Sequence, residues 1–92
     1  MDDMTKDDAS THLATISHDG RFWEVYLDFD RDPAAPTSHR GYLRFTPADG
    51  KPEDAVQTAT ILIEDSDEAV KRKARSMAEH MLTALLRSAL PD

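Results

Sequence analysis

The chain has no cysteine, only three glycines and one tryptophan in 92 residues. Without cysteine there can be no disulfide and no thiolate metal site, so packing alone, or packing plus a partner, must hold the fold. With so few glycines, at Gly20, Gly41 and Gly50, no loop of the phosphate-cradling kind can be written. No apolar run approaches the ~20 residues that cross a bilayer. The opening residues lack the basic start and apolar stretch of an export signal, so a cytoplasmic location is expected by default. Base is also scarce. Eleven Lys and Arg face eighteen Asp and Glu, for a net charge of −7. That balance opposes bulk attraction to nucleic acid and to anionic lipid, both of them polyanions. The acid is thirteen Asp against five Glu, and the base seven Arg against four Lys. Asp-rich, Lys-poor surfaces suit high salt, where charge repulsion is screened. A salt-adapted source is one expectation, and GC-rich coding is the plainer one.

What is present is enough for one domain. A chain this long buries roughly 60–65% of its unfolded surface, one core with little reserve. Residues 1–10, MDDMTKDDAS, carry four Asp and almost nothing apolar, and read as a disordered acidic tail before a single domain at 11–92. Residues 11–18 and 21–29 are β-rich runs on either side of Asp19-Gly20, the strongest short hairpin signal. This turn sets a register. His18 pairs with Arg21, Ser17 with Phe22, Ile16 with Trp23, Ala14 with Val25 and Leu13 with Tyr26. Alternation then gives two faces. Ala14, Ile16, Trp23, Val25, Leu27 and Phe29 form the apolar core face. Leu13, Thr15, Ser17, Phe22, Glu24, Tyr26 and Asp28 form the outer one.

Residues 30–38 hold two prolines and read as a polar loop. Residues 40–46 alternate again, with Leu43 and Phe45 inward and Tyr42 and Arg44 outward. Residues 47–54 form a second turn. Residues 55–64 are β-branched and predict a fourth strand, with Ala59, Ile61 and Ile63 inward. From Asp65 the period becomes helical. Asp65 or Ser66 can cap, and apolar residues recur at Val70, Ala74, Met77, Ala78, Met81, Leu82, Leu85 and Ala89. The pattern predicts one helix over 66–90, roughly 36 Å long. An eight-residue strand spans only roughly 27 Å, so such a helix overhangs the sheet or crosses it diagonally. The expected architecture is therefore α+β: a four-stranded antiparallel meander packed on one face by a single long C-terminal amphipathic helix. Its apolar stripe widens toward the end, which places Leu82, Leu86 and Leu90 as a candidate dimer contact, against the plainer reading of tolerated surface leucines.

Chemistry-bearing motifs are sparse. Asp28-Phe29-Asp30-Arg31-Asp32 opens like a calcium loop, but the sixth position is Pro33 and the twelfth His39, where Gly and an acid are required. His12, His18, His39 and His80 lack metal-ligand spacing. No Gly-x-Ser-x-Gly elbow exists. No catalytic residue, cofactor or metal is assigned. The cluster Lys71, Arg72, Lys73 and Arg75 could meet phosphate, but more simply pairs with Asp67, Glu68 and Glu79 on a solvated helix face.

The outer sheet face says more. Phe22, Tyr26, Tyr42 and Arg44 form a candidate partner face, where rings can stack on bases or be buried by a protein. The plainer alternative is cross-strand pairing, with Arg44 meeting Glu24 or Asp28. Four strands followed by one long helix is an element order that resembles the single-stranded-DNA-binding transcriptional-coactivator and Whirly type of unit. That resemblance implies dimerisation through the helix and nucleic-acid binding on the sheet. Three functions follow as expectations. The first is a non-catalytic interaction module, dimeric through its helix and meeting an unknown protein. The second is single-stranded nucleic-acid binding through Phe22, Tyr26, Tyr42, Arg40 and Arg44. The third is a small enzyme or ligand sensor with a site between subunits.

Overall fold

The computed structural model describes residues 10–30, 34 and 38–91. The acidic tail expected at 1–10 lies outside these residues except for Ser10, and so does most of the loop at 30–38. The fold is α+β. Strand β1 (Ser10–His18) and β2 (Arg21–Asp30) form the expected hairpin. Asp19 and Gly20 have φ of 57° and 77°, the paired positive values a type I′ turn needs. Strand β3 (His39–Pro47) follows. Two short strands, β4 (Val56–Gln57) and β5 (Leu62–Glu64), then pair antiparallel with β3. Two helices, α1 (Asp67–Arg75) and α2 (Glu79–Ala89), complete the chain. No described helix is long and apolar enough to cross a membrane.

The parity set by the turn holds over most of the sheet. Ile16, Trp23, Val25, Leu27, Leu43 and Phe45 are buried, and Val70, Ala74, Leu82 and Leu86 meet them from the helices. Gly41 is buried where β3 meets α1. A Cβ there would sit 2.9 Å from both Leu27 Cδ1 and Val70 Cγ1, so only glycine lets helix and sheet approach this closely.

Three expectations are corrected. The first concerns β1. Pairing runs as expected from His18↔Arg21 to Ala14↔Val25, then slips so that His12, not Leu13, opposes Tyr26. Leu13 occupies a bulge and packs against the core. Strict alternation would have pointed Leu13 to water and His12 inward. One extra residue reverses both, and the burial gained outweighs one disrupted ladder position.

The second concerns residues 55–64. From Arg44 to Gly41 β3 advances three residues, while its partner advances five, from Gln57 to Leu62. The two surplus residues break the strand. Thr58 holds the break: its backbone N–H donates to Leu43 O at 2.9 Å and its Oγ1 accepts from Leu43 N at 3.1 Å. The inward residues are Val56 and Leu62. Ala59, Ile61 and Ile63 are exposed, the two isoleucines at 39% and 58%. Counting apolar side chains favoured the wrong parity, because threonine hydroxyls took ladder and cross-strand roles instead.

The third concerns the helix, which is two helices and not one. α1 stops at Ser76, whose Oγ donates to Lys73 O at 2.7 Å. α2 starts after Ala78 with no side-chain cap. A rod of roughly 36 Å would outrun the sheet. Broken, the chain covers it: α1 packs over β3 and β5, while α2 reaches both β1 and β4. At about 16 Å, α2 matches the roughly 14 Å of three inter-strand spacings. The break also turns Leu82 and Leu86 into the core, at 4% and 0% exposure, and Leu90 packs partly against it. Of the leucines assigned to a dimer contact, Leu82 and Leu86 are therefore core residues with almost no area to offer a partner, while Leu90 keeps part of its surface.

Candidate interaction surface

The helices cover one face of the sheet and leave the other open. Across that open face runs a row of side chains held by one another. Each is placed by alternation: even-numbered residues of β2 and β3 point outward, opposite the buried odd ones.

Tyr26 is the centre of the row. His12 approaches its ring edge-on, with centroids 5.2 Å apart. From the other side the Arg44 guanidinium lies 4.5 Å from the ring centroid, a cation over a π face. Both neighbours are anchored by acids. His12 Nε2 lies 2.6 Å from Glu24 Oε1, and Thr15 Oγ1 donates to the same oxygen at 2.7 Å. The Thr15 hydrogen bond, then the one from His12, holds the Glu24 carboxyl below its ordinary value. Arg44 Nε donates to Asp28 Oδ2 at 2.8 Å and its second nitrogen to Oδ1 at 3.4 Å, the fork geometry that suits arginine and carboxylate. That bond raises the Arg44 pKa further. Tyr42 flanks Asp28 from β3. Burial, then the Asp28 charge, pushes its phenol above its ordinary value. At the next position along β2, Thr60 Oγ1 donates to Asp30 at 2.7 Å.

The candidate residues Tyr26, Tyr42 and Arg44 thus come together, and Arg44 takes the cross-strand pairing with Asp28. Phe22 stands apart. It lies near the hairpin end of the face, 62% exposed. At the opposite end, in the row Asp30–Arg40–Ile63, stands Ile63. Sequence reasoning missed two members of this surface. His12 was hidden by the bulge, although an outward Leu13 beside an inward His12 was a pattern that a one-residue slip repairs. Ile63 was hidden by the parity error in the last strand.

The basic cluster on α1 has a structural reading. Because the helix ends at Arg75, Arg72, Lys73 and Arg75 fall in its last turn, and Asp67 and Glu68 in its first. Each sign sits at the end of the helix dipole that it stabilises. Lys71 and Lys73 also approach Glu68 and Glu64 at 4.0 and 3.9 Å. Between α2 and the strand break lies a shallow groove of about 250 Å³, lined by Ala59, Ile61, Leu85 and Ala89 among others. Among the described residues no three His, Asp or Glu side chains gather as metal ligands would. Known protein families, curated proteins and solved structures offer no match to the chain.

Proposed function

We propose that this domain is a non-catalytic binding module that meets a protein partner through the open face of its sheet. The observation that carries the proposal is the exposure of Phe22 and Ile63, 62% and 58%, at the two ends of a face whose middle is already hydrogen-bonded within the chain. Large apolar side chains standing in water favour burial by a partner, at roughly 25 cal/mol per Å² covered. The outward residues of the helices are mostly polar, Glu68, Arg72 and Arg75 on α1, then Glu79, His80, Thr83 and Arg87 on α2, with Met81, 45% exposed, the one large apolar side chain among them. The sheet edges suit pairing poorly. A bulge interrupts β1 and a two-residue surplus interrupts the β4–β5 edge, both features that discourage strand addition.

Single-stranded nucleic acid fits this face less well. Base stacking needs an open ring and phosphate needs an uncommitted cation. Phe22 offers an open ring at the hairpin end, but Arg44 covers Tyr26 and is itself engaged by Asp28. The net charge of −7 opposes approach.

A photo-crosslinking amino acid placed in turn at Phe22, Ile63 and Thr83 tests the proposal in cells of the source. Protein adducts should form from positions 22 and 63 and be sparse from position 83 on α2. Adducts from position 83 alone would refute it. Adducts removed by nuclease would transfer the face to nucleic acid.

A further inference from the structure

We infer that the occupant of the open sheet face is a second copy of this chain, packed face to face about a two-fold axis lying across the strands. The inference rests on the face being the contact surface, as proposed above.

Three properties of the face favour a copy of itself. The first is polar satisfaction. Burial of an unpaired polar group is costly, whereas a group already bonded loses little when water leaves. Here Thr15 and His12 meet Glu24, Arg44 meets Asp28 and Thr46, Arg40 meets Ser38, and Thr60 meets Asp30, all within one chain. The second is charge. The chain carries −7, but the ionised groups of this face sum to −1, from Glu24, Asp28 and Asp30 against Arg40 and Arg44. Two copies meeting here bring little net charge together. The third is the placement of the apolar residues. Phe22 lies eight residues along β2 from the row holding Ile63, roughly 26 Å away along the strands. A two-fold axis across the strands reverses their direction, so the Phe22 end of one copy lies over the Ile63 end of the other. One patch thereby supplies two equivalent apolar contacts, as an isologous interface requires. Two twisted sheets pack face to face in this way, with strands about 30° apart.

The size of the face sets the strength. Roughly 26 Å by roughly 14 Å gives a flat footprint of about 370 Å², under half of the ~800 Å² per partner of a standard interface. The dimer is therefore weak and concentration-dependent, and screening the residual repulsion with salt should strengthen it.

Sedimentation equilibrium from about 20 μM to about 1 mM, in low salt and in about 0.5 M salt, tests the inference. The mass should rise from 10.3 kDa toward twice that value, and rise further in salt. Phe22→Ser and Ile63→Ser should each weaken association at least about tenfold with the far-UV circular dichroism unchanged. The decisive arm mixes Phe22→Lys with Ile63→Glu. A mixed pair keeps one native Phe22–Ile63 contact and gains one ion pair, so the mixture should associate more tightly than either variant alone. A mass fixed at 10.3 kDa throughout would overturn the second-copy inference, yet crosslinks from position 22 to other proteins would keep the binding-module reading. A mass that doubles equally in wild type and both serine variants would place self-association on another surface and overturn the inference too.

Discussion

Gly41→Ala probes the closest approach of sheet and helix. The added methyl would sit 2.9 Å from Leu27 Cδ1, 2.9 Å from Val70 Cγ1 and 3.4 Å from Asp28 O. Ordinary carbon contacts lie near 3.5–4.0 Å, so two neighbours must each retreat by more than half an ångström. Neither has room, since both Leu27 and Val70 are at 0% exposure. Overpacking of this kind costs about 1–3 kcal/mol, and with two buried neighbours to displace it falls in the upper half, about 2–3 kcal/mol. Opposing it is the gain from removing a glycine within a strand, about 0.5–1 kcal/mol. Overpacking wins, with a net loss of about 1–2 kcal/mol from a fold whose size suggests a total of roughly 5–14 kcal/mol. Urea unfolding followed by Trp23 fluorescence measures it, and the melting temperature should fall by roughly 4–16 °C. Val70→Ala alone also destabilises, by leaving a cavity. In the double variant the methyl at position 41 enters space that Val70 Cγ1 vacates, so the two losses should fall short of additive by at least about 1 kcal/mol. A Gly41→Ala protein as stable as wild type, or strictly additive losses, would refute the packing argument.

Other perturbations test other contacts. Glu24 is held below its ordinary value of 4.5 by Thr15, then His12, so the stability this supplies is present above pH 4.5 and is lost as pH falls through the lowered folded value. Glu24→Gln should therefore flatten the decline of unfolding free energy below pH 4.5 in urea titrations, and an unchanged slope would contradict the hydrogen-bond account. Ser66 Oγ accepts from Ala69 N at 3.1 Å at the start of α1, so Ser66→Ala should cost about 1 kcal/mol in thermal unfolding. Trp23 is 4% exposed, and its indole N–H has no partner among the described residues. Trp23→Ala should cost about 3–5 kcal/mol as a cavity. Trp23→Phe should cost less than the area it removes implies, because shedding an orphan donor worth about 1–3 kcal/mol offsets that loss. A Phe variant that loses more than its removed area accounts for would show that the N–H is satisfied.

Much of the candidate surface was legible before any coordinates. Phe22 and Tyr26 follow from one two-residue turn and strict alternation, and Tyr42 and Arg44 from the alternation of their own strand, but Arg44 opposes Tyr26 and lies diagonal to both Glu24 and Asp28, so only the structure chose Asp28 as its partner. His12 and Ile63 do not follow. Each required a slip of the chain against its neighbour, and a slip leaves no local mark when threonine or leucine suits either position.

The helix break shows the same division. The charges already describe two short helices: acids at 67 and 68 before bases at 72, 73 and 75, then Glu79 before Arg87. The apolar spacing, continuous from Val70 to Ala89, conceals the gap because no glycine or proline marks it. Local chemistry settled where the hairpin turns, which face of β1 to β3 is apolar and where the helical region begins, since these depend on residues within a few positions of one another. The bulge at Leu13, the parity of the last strand and the turn between α1 and α2 were settled only when the layers had to fit. A sheet about three spacings wide has to be covered, and Leu82 and Leu86 reach its core only from a helix short enough to lie across it.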